Sequence, residues 1–242
     1  LGKVFKIPVH KIPLTDRTSN GIDIRILNKY ATSNICCAAR YTTLENLAKS
    51  RYHNYIFIIT NNGFIKKIDI DDVLTAPPSG LIYSKIDQDD YVKAMLFGPD
   101  KMDLLIYSEN KVLRINPKQI PYLKRSTKGA RASTATTKIE GMNFLLPHST
   151  HLVAVTKSGM VNRIPLNIVS PQARGKAGIR IIKLKKGDSI VSVQSVRDES
   201  KLIVYEGSRN NTELNVSDIP ITSTVSNGTK LLKSPAKVVV SK

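Results

Sequence analysis

Residues 151–169 read HLVAVTKSGMVNRIPLNIV. The apolar run Leu152–Val155 meets a Lys-Ser-Gly turn, and the next segment alternates apolar and polar residues until an Ile-Pro stop. A short β-branched run and an alternating segment on either side of a glycine turn are the pattern of a β-hairpin. The same grammar recurs as YIFIITNNGFIKKIDIDDV (55–73), DLLIYSENKVLRINPKQIP (103–121) and KLIVYEGSRNNTELNVSDIP (201–220). The opening GKVFKIPVHKIP (2–13) is the same unit without its first strand. Pro13, Pro121 and Pro220 are expected to end strands, because proline gives no N–H to a ladder.

A second landmark follows each unit. Gly21, Gly80, Gly129, Gly178 and Gly228 are separated by 59, 49, 49 and 50 residues, and each opens a further strand. The longer first interval holds YTTLENLAKSRYHN (41–54), the one segment with helical or loop character. A period near 49 residues with about four short strands per repeat has the size of a propeller blade. The expected fold is therefore all-β, propeller-like, with about five four-stranded blades in a single domain over 1–242. The repeats fall at 1–57, 58–104, 105–150, 151–198 and 199–242. A double β-sandwich is the alternative, and it would not require the register to hold over five units. The absence of tryptophan excludes Trp-Asp blades, and there is no Gly-Gly pair of the kelch type.

The 242 residues carry a net charge of +18, which favours a polyanionic partner. The charge is uneven: the five repeats carry +6, −3, +6, +7 and +2. Adjacent Cys36 and Cys37 suit a reducing cytoplasm and small buried hydrophobes better than a strained vicinal bridge. No apolar run approaches 18 residues, so no membrane span is expected. The chain starts at LGKVFKIPV without a methionine, which suggests a piece of a longer protein. The three Asn-x-Ser/Thr matches, at Asn210, Asn215 and Asn227, are read as chance. His10, His53, His148 and His151 lack metal-ligand spacing. No nucleophile elbow, phosphate loop or paired catalytic carboxylates appear, so no cofactor, metal or catalytic residue is expected here.

One stretch stands apart. Residues 170–193, SPQARGKAGIRIIKLKKGDSIVSV, place Arg174, Lys176, Arg180, Lys183, Lys185 and Lys186 on what reads as one hairpin. Within it, Gln172–Gly178 resembles the Gln-x-Arg-Gly-Gly-Lys-Gly box of DNA gyrase A subunits. Gln172, Arg174, Gly175 and Gly178 match, while Lys176 and Ala177 stand where the family has Gly-Lys. The order Gly159–Arg163, Pro165–Pro171, box, and Ile179 to Asp188 also follows the family's blade pattern, with looser copies in all five repeats. The chain is similar to the C-terminal DNA-wrapping domains of bacterial type IIA topoisomerase A subunits. The resemblance implies a β-pinwheel, a disc whose blades exchange strands. Family gyrases carry an intact box in the first blade, whereas the first repeat here offers TDRTSNG (15–21). A degenerate box in the fourth repeat, and five repeats against the six usual in gyrase, favour the topoisomerase IV type. The gyrase type stays open.

The implied partner is double-stranded DNA, with the upstream catalytic domains of the same polypeptide and the ATPase B-type subunit completing the enzyme. Expected phosphate contacts are Arg174, Lys176, Arg180, Lys183, Lys185 and Lys186, then Lys124, Arg125, Lys128 and Arg131, with Arg163 and Arg114 on equivalent strands. Lys and Arg contacts to phosphate give sequence-independent affinity. No aromatic residue interleaves with the basic loops in the sequence, which argues against base stacking. Asp69, Asp71, Asp72, Asp87, Asp89 and Asp90 would repel a phosphate backbone or merely solubilise a basic disc. A scaffold binding an acidic protein is the reading from another class.

Overall fold

A computed structural model describes residues 2–16, 19–31, 35–134, 138–206 and 210–241. Arg17 and Thr18 of the TDRTSNG stretch, and residues 207–209 of the last hairpin turn, lie outside the described residues. The chain opens with β1 (Lys3–Val4), α1 (Ile24–Leu27) and α2 (Tyr41–Ala48), the last inside the segment that reads as helical or loop. Then come β2 (Asn54–Thr60), β3 (Phe64–Asp69), α3 (Ile70–Leu74), β4 (Leu81–Ile82) and β5 (Val92–Pro99). The third unit is β6 (Leu104–Ser108), β7 (Lys111–Ile115), β8 (Ala130–Arg131) and β9 (Ile139–Phe144). The fourth is β10 (His151–Thr156), β11 (Met160–Pro165), β12 (Ile179–Arg180) and β13 (Ile190–Val196). The fifth is β14 (Lys201–Glu206), β15 (Asn210–Asn215), β16 (Thr229–Lys230) and β17 (Pro235–Ser241).

Each unit sends its short third strand into the sheet of the unit before it. The sheets run β5-β2-β3-β8, β12-β7-β6-β9 and β13-β10-β11-β16, with a two-stranded β1-β4 at the start and a three-stranded β15-β14-β17 at the end. The described pairings are antiparallel except for isolated bridges. β1 takes the place that β3, β7 and β11 hold in the complete sheets, and among the described residues β4 is its one strand partner. Among the described residues the two outer sheets therefore fall short of four strands. The 170–193 stretch is also not one hairpin: β12 joins β7, while β13 joins β10 in the next sheet. Nearness in sequence concealed a change of sheet.

The crossing strands explain the glycine period. Gly178 holds φ +82°, and a methyl built on it would stand 2.7 Å from the Val112 carbonyl oxygen. Gly129 and Gly228 meet Ile65 and Val161 in the same way. Only glycine lets two backbones approach so closely in the left-handed region. Gly21, by contrast, has open space around it.

The continuous apolar runs belong to strands buried on both faces. Ile56 and Ile58 join one core with Tyr83 and Leu44, while Phe57 and Ile59 join the next with Leu104 and Ile106. Leu105 and Tyr107 pack on Leu152 and Ala154, and Val153 and Val155 pack on Leu202 and Val204. Four interblade cores thus join five units. Among the described residues no such core joins the last sheet to the first. β5, β9, β13 and β17 contact one another in turn. They line the axis, and the crossing strands sit on the opposite edge, at the rim.

The prolines act later than expected. β7 ends at Ile115, a 3₁₀ turn covers Pro117–Gln119, and Pro121 follows it. There the Pro121 carbonyl accepts the Lys67 amide at 3.0 Å, a contact that needs no proline N–H. Pro121 thus begins the run toward the neighbouring sheet.

The two box glycines separate conformation from contact. Gly175, at φ +90°, has nothing within reach of an added methyl. Gly175→Ala should cost about 1–2 kcal/mol. Gly178→Ala should cost clearly more, because the Val112 carbonyl must also move, and urea unfolding of the two variants measures the difference.

Candidate nucleic-acid interface

The rim carries its charge on the crossing strands. Their second residues are Ile82, Arg131, Arg180 and Lys230, paired across the ladder with Lys3, Phe64, Lys111 and Met160. Three consecutive sheets therefore present a cation at one equivalent rim position. In the middle sheet Arg180 stands directly opposite Lys111, a like-charge pair that disfavours the ladder unless an anion lies across it. The sequence reading missed Lys111 and Lys230. Register with the crossing glycine was the signal that could have found them.

One sheet earlier an aromatic ring supports the cations. Lys128 Nζ lies 4.0 Å and Arg131 4.9 Å from the Phe64 ring centre, within cation–π range. Asn62, Asp87 and Lys138 complete an open notch around them. Lys128 pairs with Asp87 and Lys138 donates to Asn62 Oδ1. Lys138 is a further rim cation not anticipated, and the expectation of no aromatic among the basic loops fails here. Phe64 is distant in sequence from the loop it supports.

The box forms a turn pinned to the preceding unit. The Arg174 amide donates to Gln119 Oε1 at 2.7 Å, its Nε to the Gln119 carbonyl at 3.2 Å, and Nη1 to the Arg131 carbonyl at 2.8 Å. The Gly175 amide donates to Ala132 O at 2.8 Å, and Ser133 Oγ to Lys176 O at 2.8 Å. The Gln172 amide donates to Arg114 O at 2.8 Å. Arg174 thus fixes the turn while remaining exposed beside Lys176. Arg180, Lys183, Lys185 and Lys186 are exposed along the link from β12 to β13. That link is closed by the Asp188 amide donating to Lys185 O at 3.1 Å. Lys124 and Arg125 are exposed on the corresponding turn one unit earlier.

Two expected contacts need correction. Arg163 is 3% exposed. Its Nη2 meets Asp198 at 2.6 Å, and Nη1 donates to the carbonyls of Val216 at 2.9 Å and Ile219 at 3.2 Å. Arg114 is partly buried, with Nε on Asp103 at 2.8 Å and Nη1 on Val169 O at 3.4 Å. Lys67 repeats the arrangement with Asp100 and Pro117 O, both at 3.3 Å, and Lys6 donates to Leu74 O. One register position in four successive units therefore holds a cation that ties its strand to the helical turn of the next unit. These residues join blades and do not face a ligand. Burial, with the Arg163 guanidinium beside it, also holds His151 below the ordinary histidine range.

Several acids of the second repeat have structural partners as well. Asp69 accepts the Asp71 amide at 3.1 Å at the start of α3. Asp90 Oδ1 accepts the amides of Asn62 and Tyr91, each at 2.9 Å. Asp188 has the same place two units on, taking Ser158 N at 2.9 Å and Ser158 Oγ at 2.5 Å. Asn62 replaces that serine, which leaves Asp90 Oδ2 buried without a bond. Among the described residues no group of three or more His, Cys, Asp or Glu is placed to hold a metal ion.

The buried and rim cations should respond oppositely to removal. Arg163→Met strands the carbonyls of Val216 and Ile219 and should lower stability by about 2–3 kcal/mol. Arg180→Ala relieves repulsion with Lys111 and should stay within about 0.5 kcal/mol of the parent. Chemical denaturation of both variants is the check.

The family described as DNA gyrase C-terminal domain, beta-propeller, matches residues 1–24, 54–97 and 150–197. The DNA gyrase A protein of Borrelia hermsii is 25% identical over 218 residues, 86% of this chain and 26% of that protein. Its Staphylococcus aureus counterpart is 22% identical over 237 residues, 96% of this chain and likewise 26% of that protein. The chain thus spans about a quarter of these relatives. Among solved structures, the C-terminal domain of DNA topoisomerase IV superposes with a TM-score of 0.70 at 18% identity, covering 78% of this chain and 62% of that one. The DNA gyrase A C-terminal domain gives 0.69 at 17% identity over 77% and 65%. The E. coli ParC C-terminal domain gives 0.56 at 14% over 78% and 99%. The chain is thus similar in sequence to DNA gyrase A proteins and their C-terminal domain family, and it shares the β-propeller-like fold of the C-terminal domains of DNA gyrase A and DNA topoisomerase IV.

Proposed function

We propose that this domain binds double-stranded DNA without sequence preference and bends it along the rim. In that reading it presents the duplex to the upstream catalytic domains of its own polypeptide for strand passage, which the ATPase B-type subunit drives in the cytoplasm. The domain contributes no bond-making chemistry and needs no cofactor. The carrying observation is the like-charge pair Lys111–Arg180, flanked at the same rim position by Arg131 and Lys230. A phosphate backbone laid across three successive sheets relieves that repulsion and releases counterions. Bending a short site costs on the order of 1–6 kcal/mol, which several charge contacts can offset. The first rim position holds Ile82 in place of a cation, so the path runs over the third to fifth units and leaves the second.

We favour the topoisomerase IV type, supported by the degenerate box in the fourth repeat. The gyrase type has its own support, since the Borrelia and Staphylococcus relatives are gyrase proteins.

Replacing Arg180 and Lys183 by alanine should flatten the slope of log affinity against log salt by about 2, at ~0.9 per lost phosphate contact. Arg163→Met should leave that slope unchanged. Equal slopes in all three proteins would remove the rim from the DNA path. Relaxed circular DNA, closed by a nicking–closing enzyme in the presence of the domain, then separates the two types. Binding without a change in linking number fits the topoisomerase IV type, and a shift of one sign fits chiral wrapping of the gyrase type.

A further inference from the structure

Lys66 is the least expected residue in the protein. It lies on β3 with 0% of its surface exposed. Its Nζ donates to the main-chain oxygens of Lys124 at 3.1 Å, Arg125 at 2.6 Å and Thr127 at 2.9 Å, with Thr127 Oγ1 at 3.5 Å. An ammonium has three donors and no acceptor, so three converging carbonyls match it. These partners are all neutral. Burial is costly for a charge held that way, and it pulls the lysine down to about 8.

The turn so gathered carries two of the exposed rim cations, Lys124 and Arg125. Its other ties include a hydrogen bond between Arg125 and the Tyr83 hydroxyl. Thr127 N and Oγ1 donate to Lys124 O at 3.2 and 2.7 Å, and the Lys85 amide donates to Thr127 O at 3.2 Å. The equivalent turn at 223–226 is held by Asn162, whose Nδ2 donates to Ser223 O at 3.3 Å and Ile181 O at 2.7 Å. The box turn faces Leu113, on the same strand position, and is held by Gln119 and Ser133 instead. Of the three equivalent turns, this one hangs on a group that can lose a proton near neutrality.

We infer that Lys66 is a positioning residue for the Lys124–Thr127 turn, its N–H donors gathering three carbonyls and keeping the turn ordered for a polyanion at the rim. The last step rests on the DNA-binding reading. The order of the turn does not. The ionisable groups on the surrounding segments are Lys124 and Arg125 on the turn, Lys85 beside it, and Tyr83. Tyr83 donates to Asp72 O at 2.6 Å and is pushed up by burial. Lys67, next on β3, is paired with Asp100. Between about 8 and the ordinary lysine value of 10.5, the folded protein releases a proton that the unfolded chain keeps. Global stability therefore does not fall through this window on account of Lys66. The same sign holds for a local opening that hydrates Lys66, so closure of the turn does not weaken there either.

The test uses the 242-residue chain. Trypsin cleavage after Lys124 and Arg125, read by mass spectrometry against an unstructured reference peptide, reports the order of the turn. Lys66→Met keeps the length and apolarity of the stem. It should speed cleavage at these bonds about ten-fold, ~1.4 kcal/mol of local opening, with unfolding midpoints no lower than the parent's. Because an opened turn hydrates Lys66 and keeps its proton, the parent's protection should be held or increase as pH rises from 7 to 9, while the variant's rate, corrected by the reference, stays flat. Binding of random duplex DNA at low salt should weaken several-fold in the variant. Parental protection in the variant, or loss of the parent's protection between pH 7 and 9, would overturn the assignment of Lys66. Faster cleavage with unchanged DNA affinity would overturn only the link to the rim.

Discussion

Two backbones passing with no room for a side chain between them is the constraint on which this molecule rests. Where Gly178 crosses Val112, and at the matching points Gly129 and Gly228, a strand of two residues leaves its own unit and closes the sheet before it. The crossing fixes how far apart the glycines stand in sequence. It also lays strands buried on both faces next to one another, and it carries the following residue to the rim. Architecture and charge placement therefore have one origin.

That origin sorts the cations. Residues on the crossing strands and on the turns beside them end outside, as Arg131, Arg180 and Lys230 do. Residues on the strand that receives the crossing are enclosed by it. There Lys67, Arg114 and Arg163 each find an aspartate, and each also donates to a carbonyl of the next unit. Lys66 is held one position away, by carbonyls alone. A net charge of +18 thus has two components, an internal set that joins units and an external set left exposed to solvent. Only the second produces a field a polyanion would feel.

Much of this was legible from residue order, because the features concerned are local. The hairpin grammar, the glycine interval and the helical insertion each follow from what a few neighbouring residues can do. Partnership was not legible. Nothing in residues 170–193 says that the strands on either side of the Lys-Lys-Gly-Asp turn belong to different sheets. Nothing in Gly159–Arg163 says that Asp198 will meet the arginine. A usable signal was nevertheless present: the cation recurs at one register in Lys6, Lys67, Arg114 and Arg163, with the regularity of a core position. Variable rim residues such as Ile82 and Lys230 lack that regularity. The notch around Phe64 was beyond reach for a simpler reason, since its ring and its cations come from different repeats.

The direction of the exchange has a consequence for how such units can be joined. Units two to five each give a strand backward and units one to four each receive one from ahead, so the array has a polarity like that of a head-to-tail polymer. Its two ends differ in kind. The β1-β4 end has taken its strand from the next unit, while β15 at the other end keeps a ladder edge that has received none. Lengthening the array at that end requires only a unit that gives its strand to β15, whereas deleting an internal unit leaves a donor facing the wrong acceptor. Growth by one repeat and loss of one repeat are therefore unequal events for this architecture.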